Sequence, residues 1–135
     1  MQRARAKGIP IVLVQHFADT TGGPAPFFNR GTPGAELHPR ILAAGGGAVV
    51  IKAFADSFVQ TTLGDTLAEL GATELVVCGM MTQNCVTHTA ISKSAEKYDT
   101  TVLSDACTTV TEMVHQLALH AMSTRVRLAA SDEAL

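Results

Sequence analysis

A chain of 135 residues with 47% hydrophobic and 16% charged residues can bury a sizeable core, which excludes an intrinsically disordered segment. The net charge is −2 and no Lys/Arg cluster extends beyond the Arg3–Lys7 turn, so neither nucleic acid nor an anionic membrane is an expected partner. No apolar run approaches the roughly 18 residues of a bilayer span. The N-terminus lacks a signal-peptide apolar region, and the three cysteines form neither a full disulfide set nor a zinc spacing. A cytoplasmic chain of one domain over residues 1–135 is expected.

Residues 1–7 are good helix formers, and Gly8 supplies a stop. Ile9 to Gln15 is nearly all apolar, as expected of a strand covered on both faces. His16 to Ala44 reads as a long loop punctuated by Gly22-Gly23-Pro24 and Gly31-Thr32-Pro33-Gly34. Connections of this length in a compact domain tend to be functional. Ala48 to Lys52 is a short strand, and Thr61 to Leu70 a helix with Leu63, Leu67 and Leu70 on one face before Gly71. Glu74 to Cys78 is the next strand and Thr82 to Lys97 the next helix. A strand over Thr100–Leu103, a loop over Asp105–Thr109, a helix over Thr111–Met122 and a strand over Arg125–Ala129 complete the pattern. Such alternation predicts an α/β fold, a doubly wound, mostly parallel sheet in a three-layer α/β/α arrangement. Residues 1–7 resemble the end of a helix set directly before a buried strand. The strand that would precede that helix in a βαβ unit is absent from this sequence.

The most informative stretch is Leu75-Val76-Val77-Cys78-Gly79-Met80-Met81-Thr82-Gln83-Asn84-Cys85-Val86. It places Cys85 where a strand hands over to a helix, at the edge of a parallel sheet where ligands bind. Unpaired N–H groups and the helix dipole there favour an anion, so the thiol should ionise readily and act as a nucleophile. Thr82 is a candidate helix N-cap. Cys78 is expected in the core, and Cys107 in a structural or supporting position near the same edge. His16 ends a strand at the ligand edge and is a candidate pocket residue. His88, one turn after Cys85, offers an alternative Cys–His dyad with poor geometry. Phe27, Phe28, Phe54 and Phe58 could wall a small pocket, with Phe58 divided between pocket and core.

The segments G-T-P-G-A-E-L-H-P (31–39), V-I-K-A-F-A-D-S-F (50–58), V-C-G-M-M-T-Q-N-C-V (77–86) and S-D-A-C-T (104–108) together resemble the isochorismatase-like cysteine hydrolases. The resemblance runs in order along essentially the whole chain and implies the family's doubly wound α/β/α fold, lacking its first strand. It implies an Asp–Lys–Cys triad that hydrolyses amide or related C–N bonds. Cys85 matches the nucleophile and Lys52 the lysine. A cis peptide in the family's turn maps to Met80–Met81, which would aim the Met81 and Cys85 N–H groups into one oxyanion hole, with Met80, Phe58 and His16 as substrate contacts. The family aspartate would lie on the absent strand, and neither Asp19 nor Asp56 matches it. Nicotinamidases of the family bind a metal through Asp-x-His, whereas this chain has Gln15-His16-Phe17-Ala18-Asp19, so no metal and no cofactor are expected. Members that cleave a vinyl ether lack the cysteine, so its presence implies C–N hydrolysis of a small amide-like substrate. Family members are commonly oligomers, and a homo-oligomer is expected. A non-catalytic paralogue without the aspartate, and a thiol sensor with a Cys85–Cys107 disulfide, are the competing readings.

Overall fold

The computed structural model describes residues 1–135 and has an α/β doubly wound fold built from parallel strands and flanking helices. Its elements in order are α1 (Gln2–Ala6), β1 (Leu13–His16), α2 (Pro39–Ala43), β2 (Val49–Lys52), α3 (Leu63–Glu69) and β3 (Glu74–Met80). There follow a π-turn (Thr82–Val86), α4 (Thr87–Ala90), β4 (Asp99–Thr108), α5 (Glu112–Met122), β5 (Arg127–Ala129) and α6 (Ser131–Ala134). The hydrogen-bonded ladders form two sheets rather than one: β1 with β2, and β3-β4-β5. All pairings are parallel. One edge of β1 and one edge of β3 therefore carry no strand partner. Val14, Val49, Ile51 and Val76 remain 38–48% exposed, which corrects the expectation of strands covered on both faces.

β1 is shorter than its apolar run because Pro10 has no N–H to give to a ladder. The chain reaches β2 through Gly45-Gly46-Gly47, and these positions are tightly constrained. A Cβ on Gly46 would meet the Leu13 side chain at 2.5 Å, and one on Gly47 the Ile11 carbonyl at 2.9 Å. Only glycine lets this backbone lie so close to β1, so the triplet brings β2 alongside it. The loop after β1 is less bare than expected, since it holds a 3-10 turn at Pro33–Ala35 and the helix α2.

Two apolar clusters hold the molecule together. Val50, Leu63 and Leu67 gather Val12, Phe58, Leu75 and Tyr98 around them. Because Val50 is on β2 and Leu75 on β3, α3 ties the two sheets to each other. Leu70 falls outside this face at 44% exposed, and α3 ends before it. The second cluster packs Val86, Ala90, Leu119 and Met122 on Val102 of β4. Full burial of side chains such as Val102 and Met122 contributes roughly 1.5–3 kcal/mol each, and it anchors the turn after β3 through Val86.

The long helix expected over Thr82–Lys97 is corrected. The chain makes a π-turn, one short helix and a 3-10 turn at Lys93–Ala95, capped by the Ser92 side chain. The β-branched Val86, Thr87, Thr89 and Ile91 lower helix propensity here. Asp105–Thr108, within the Asp105–Thr109 segment expected as a loop, continues β4, because Cys107 and Thr108 pair with Gly79 and Met80 after a register shift.

Candidate active site

β2 ends at Lys52, whose side chain is only 4% exposed. Its Nζ donates to the Phe54 carbonyl at 2.8 Å, faces His16 Nδ1 at 3.1 Å and donates to Cys85 Sγ at 3.1 Å. An ammonium has three N–H donors, so all three are engaged. None of the partners is a carboxylate. A buried cation needs a counter-charge, and among these three partners only a Cys85 thiolate can supply one.

His16 and Lys52 meet because β1 and β2 pair in register, His16 opposite Lys52. His16 therefore faces the lysine, and its Nδ1 acts as acceptor toward an ammonium. Burial, with the Lys52 charge adding to it, pushes the His16 pKa below its ordinary value and keeps the imidazole neutral. Phe28, held at φ 61°, packs edge-on against the ring with centroids 5.4 Å apart.

Cys85 is half-buried within the π-turn, not at the start of a regular α-helix. The preceding Met80–Met81 peptide is cis. Gly79 precedes it at φ 124°, a backbone region that favours glycine, and sits at the register shift of β3 on β4. Thr82, expected as an N-cap, makes no cap. It is completely buried, and its hydroxyl bonds His115 Nδ1 of α5 at 2.9 Å. The Met81 carbonyl accepts from the Asn84 and Val86 N–H groups, and Thr87 Oγ1 donates to the Thr82 carbonyl at 2.6 Å. Gln83 accepts from Thr109 Oγ1 at 2.5 Å. These contacts pin the turn to α5 and to the segment before it.

The segment after Lys52 is fastened to α4. Ser57 N–H donates to Thr89 Oγ1 at 3.0 Å, and the two hydroxyls share a bond of 2.8 Å. Asp56 accepts from Ser92 Oγ at 2.7 Å and from the Phe58 N–H at 2.8 Å. No sequence signal identified this latch or the Thr82–His115 pairing, since each joins polar residues more than 30 positions apart.

The structure brings Lys52, Cys85 and His16 together and leaves other expected residues elsewhere. The Phe58 ring stacks on Tyr98 with centroids 6.4 Å apart and packs, partly buried, against the α3 cluster. It borders a separate depression of about 560 Å³ with Thr61, Asp65 and Lys93. Met80 is 56% exposed beside the cis bond. His88 is exposed and its Nδ1 bonds the Asn84 carbonyl, which removes the Cys–His dyad. Cys78 is not in the core, as its side chain opens on the uncovered face of β3, although lost hydration still raises its pKa. Cys107 is pushed up to about 11, chiefly by burial, so it is the less reactive kind of thiol. The Gln15–Asp19 stretch does not fit a metal: His16 Nδ1 is engaged by Lys52, Asp19 accepts from the Thr21 N–H, and no three His, Cys, Asp or Glu side chains converge.

The isochorismatase domain model matches residues 1–133. This chain belongs to the isochorismatase family. It is 39% identical over 107 residues to an uncharacterised isochorismatase-family protein of Bacillus subtilis, covering 79% of this chain and 58% of that protein. It is 40% identical over 90 residues to a streptothricin hydrolase of Streptomyces noursei, covering 67% of this chain and 34% of the hydrolase. Among solved structures, an isochorismatase family protein from Desulfovibrio vulgaris superimposes with a TM-score of 0.83 at 27% identity, over 95% of this chain and 74% of that one. The chain thus spans about a third to three-fifths of the length of these two curated relatives. No helix is long and apolar enough to cross a membrane.

Proposed function

We propose that this isochorismatase-family chain carries the nucleophilic half of a hydrolase that cleaves a C–N bond, amide or ureido in type, in a small molecule. The observation that carries the reading is the 3.1 Å contact between Lys52 Nζ and Cys85 Sγ in a buried setting. Cys85 attacks the carbonyl carbon, and the electron pair moves onto the oxygen. The Met81 and Cys85 N–H groups receive that oxyanion; losing one such donor commonly costs ~10²–10³ in rate. The amine departs with a proton, leaving a thioester, which water then hydrolyses to free the acid and the thiol. Met80 and His16 border the substrate, and no cofactor is needed. Similarity to a streptothricin hydrolase supports hydrolysis as the reaction type.

The chemistry requires a free thiol, which suits a reducing cytoplasm. Residues 1–135 act as one domain in a homo-oligomer, a reading supported by Val110 just before α5 and Met113 and Leu117 one turn apart on it, exposed at 72%, 74% and 64%. A second reading, a non-catalytic paralogue, is favoured by the lack of any carboxylate among the partners of Lys52.

Incubation with small amides and carbamoyl compounds, followed by intact-mass spectrometry, tests the proposal. An acyl adduct that maps to Cys85 and disappears in Cys85→Ser is expected. Absence of any adduct, with all three cysteines alkylated at the same slow rate, would leave the non-catalytic reading.

A further inference from the structure

Two cations lie in the segments around the Cys85–Lys52–His16 cluster, and they differ in what they have left to give. Lys52 has committed its N–H groups to Phe54, His16 and Cys85, so it keeps no donor for a charged group on a substrate. Its ammonium and the Cys85 thiolate also offset each other. Arg30 is the one Lys or Arg between β1 and α2, in the stretch that leads away from His16. Neither carboxylate of that stretch, Asp19 or Glu36, pairs with it, since the ion pairs of the chain are Lys93–Glu96 and Arg125–Glu96. Arg30 is therefore the uncompensated charge beside the cluster. We propose that Arg30 is a specificity-determining residue, and that the small amide or ureide taken by this site carries a carboxylate that Arg30 binds. The inference rests on the reading of Cys85 as the nucleophile and narrows the class of its substrate.

The guanidinium carbon of Arg30 sits 4.0 Å from the centre of the Phe17 ring. Phe17 follows His16 directly and is buried, and its N–H donates to the Lys52 carbonyl at 2.9 Å. The platform under Arg30 is thus tied to the residue that holds the thiolate. A cation seated on an aromatic face is held without spending its N–H fork, which stays available for the two oxygens of a carboxylate. The backbone on either side of Arg30 is fastened too. The Asn29 side chain bonds both the N–H and the carbonyl of Ala25, at 2.9 and 2.7 Å, and the Asn29 carbonyl accepts from Thr32 Oγ1 at 2.7 Å. The Ala18 N–H donates to the Phe28 carbonyl at 3.0 Å, which lays residues 28–30 alongside 16–18. Phe28 then packs on His16 while Arg30 covers Phe17. With ring and loop already ordered, little freedom is left to lose when an anion binds.

The test compares two maleimides that differ in charge, N-ethylmaleimide and 3-maleimidopropionate, on the wild-type chain, Arg30→Gln and Arg30→Lys. Labelling at neutral pH is read cysteine by cysteine by peptide mass spectrometry. The thiolate adds to the ring alkene and a solvent proton goes to the neighbouring carbon, so the readout needs no turnover. In the wild type the rate ratio of anionic to neutral reagent should be about 10–100-fold higher at Cys85 than at Cys78, as expected of one hydrogen-bonded charge contact. Arg30→Gln loses that preference, and Arg30→Lys, which keeps the charge but not the fork, retains part of it. Lys52 is present in all three proteins, so the difference between them belongs to position 30. A Cys85 ratio that is the same in the wild type and Arg30→Gln overturns the inference and leaves Cys85 as nucleophile. Wild-type Cys85 labelling by N-ethylmaleimide no faster than that of Cys78 and Cys107 overturns the parent reading, and the inference with it. Should the Arg30 variants fail to fold, protection of the wild type decides. Succinamate, an amide with a carboxylate, should slow N-ethylmaleimide labelling of Cys85 at concentrations where neutral succinamide does not. Protection that is equal for the two, or absent for both, overturns the inference.

Discussion

The Thr82 hydroxyl and His115 Nδ1 lie 2.9 Å apart, and this bond joins the turn that carries Cys85 to α5. Thr82 has no solvent exposure, so its hydroxyl has no water to fall back on. Thr82→Val keeps the shape and removes the bond. His115 is only half-buried, so the loss is that of an ordinary hydrogen bond, about 0.5–1.5 kcal/mol, and urea denaturation should register it. The turn is also expected to loosen, with Cys85 alkylation at neutral pH slowing relative to the wild type. A variant with unchanged midpoint and unchanged labelling would show that the bond holds nothing in place.

Lys52→Met tests the electrostatic half of the site. Methionine fills much of the same volume without the charge, so packing around Val50 should survive. An opposite charge within about 4–6 Å favours the ionised form of a group by roughly one to three orders of magnitude. Cys85 alkylation near neutral pH should therefore slow by about 10–10³-fold in the variant, while Cys78 and Cys107 keep their rates. Equal rates for Cys85 in the two proteins would mean that the 3.1 Å contact does not control the thiol.

The parts of this arrangement that the sequence made legible are those written locally. The β-branched run ending at Val77, the Gly79 break and Cys85 lie within one short stretch, and the apolar residues before Lys52 mark its strand. Register then brings Lys52 opposite His16, which a strand-end position already hinted at. What remained hidden depends on partners distant in the chain. Phe58 could wall a pocket or fill a core, and its packing on Tyr98 and the α3 cluster depends on residues distant in the chain. Asp105–Thr109 reads as a loop, yet pairing with Gly79 and Met80 holds it as strand as far as Thr108. The break between the two sheets was hidden for the same reason, since an apolar run shows that a strand is suited to burial but not that neighbours exist on both sides.

Thr89→Val addresses the latch between the segment after Lys52 and α4. The change preserves volume but strips the acceptor from the Ser57 N–H and the partner from the Ser57 hydroxyl, both buried. A loss of about 1–3 kcal/mol is expected for the unsatisfied groups. Because the Phe54 carbonyl that anchors Lys52 belongs to the same segment, hydrogen exchange should accelerate over residues 53–62 before it does so in β4. Uniform acceleration across the chain would show a general loss of stability instead of a local release.

The buried thiol of Cys107 predicts how stability responds to alkaline pH. Its pKa is raised in the folded protein to about 11, first by burial and then, against the Gly79 backbone hydrogen bond, by Cys78 and Asp105. In the unfolded chain the thiol ionises at lower pH, so the unfolded state sheds its proton first as pH rises. The contribution of Cys107 is thus fully present below the ordinary thiol range and fades as pH climbs toward about 11. Cys107→Ala removes the titrating group, so the gap between its urea midpoint and that of the wild type should shift in the variant's favour across that alkaline window. Parallel midpoint curves for the two proteins would show that Cys107 ionises as freely in the fold as it does outside it.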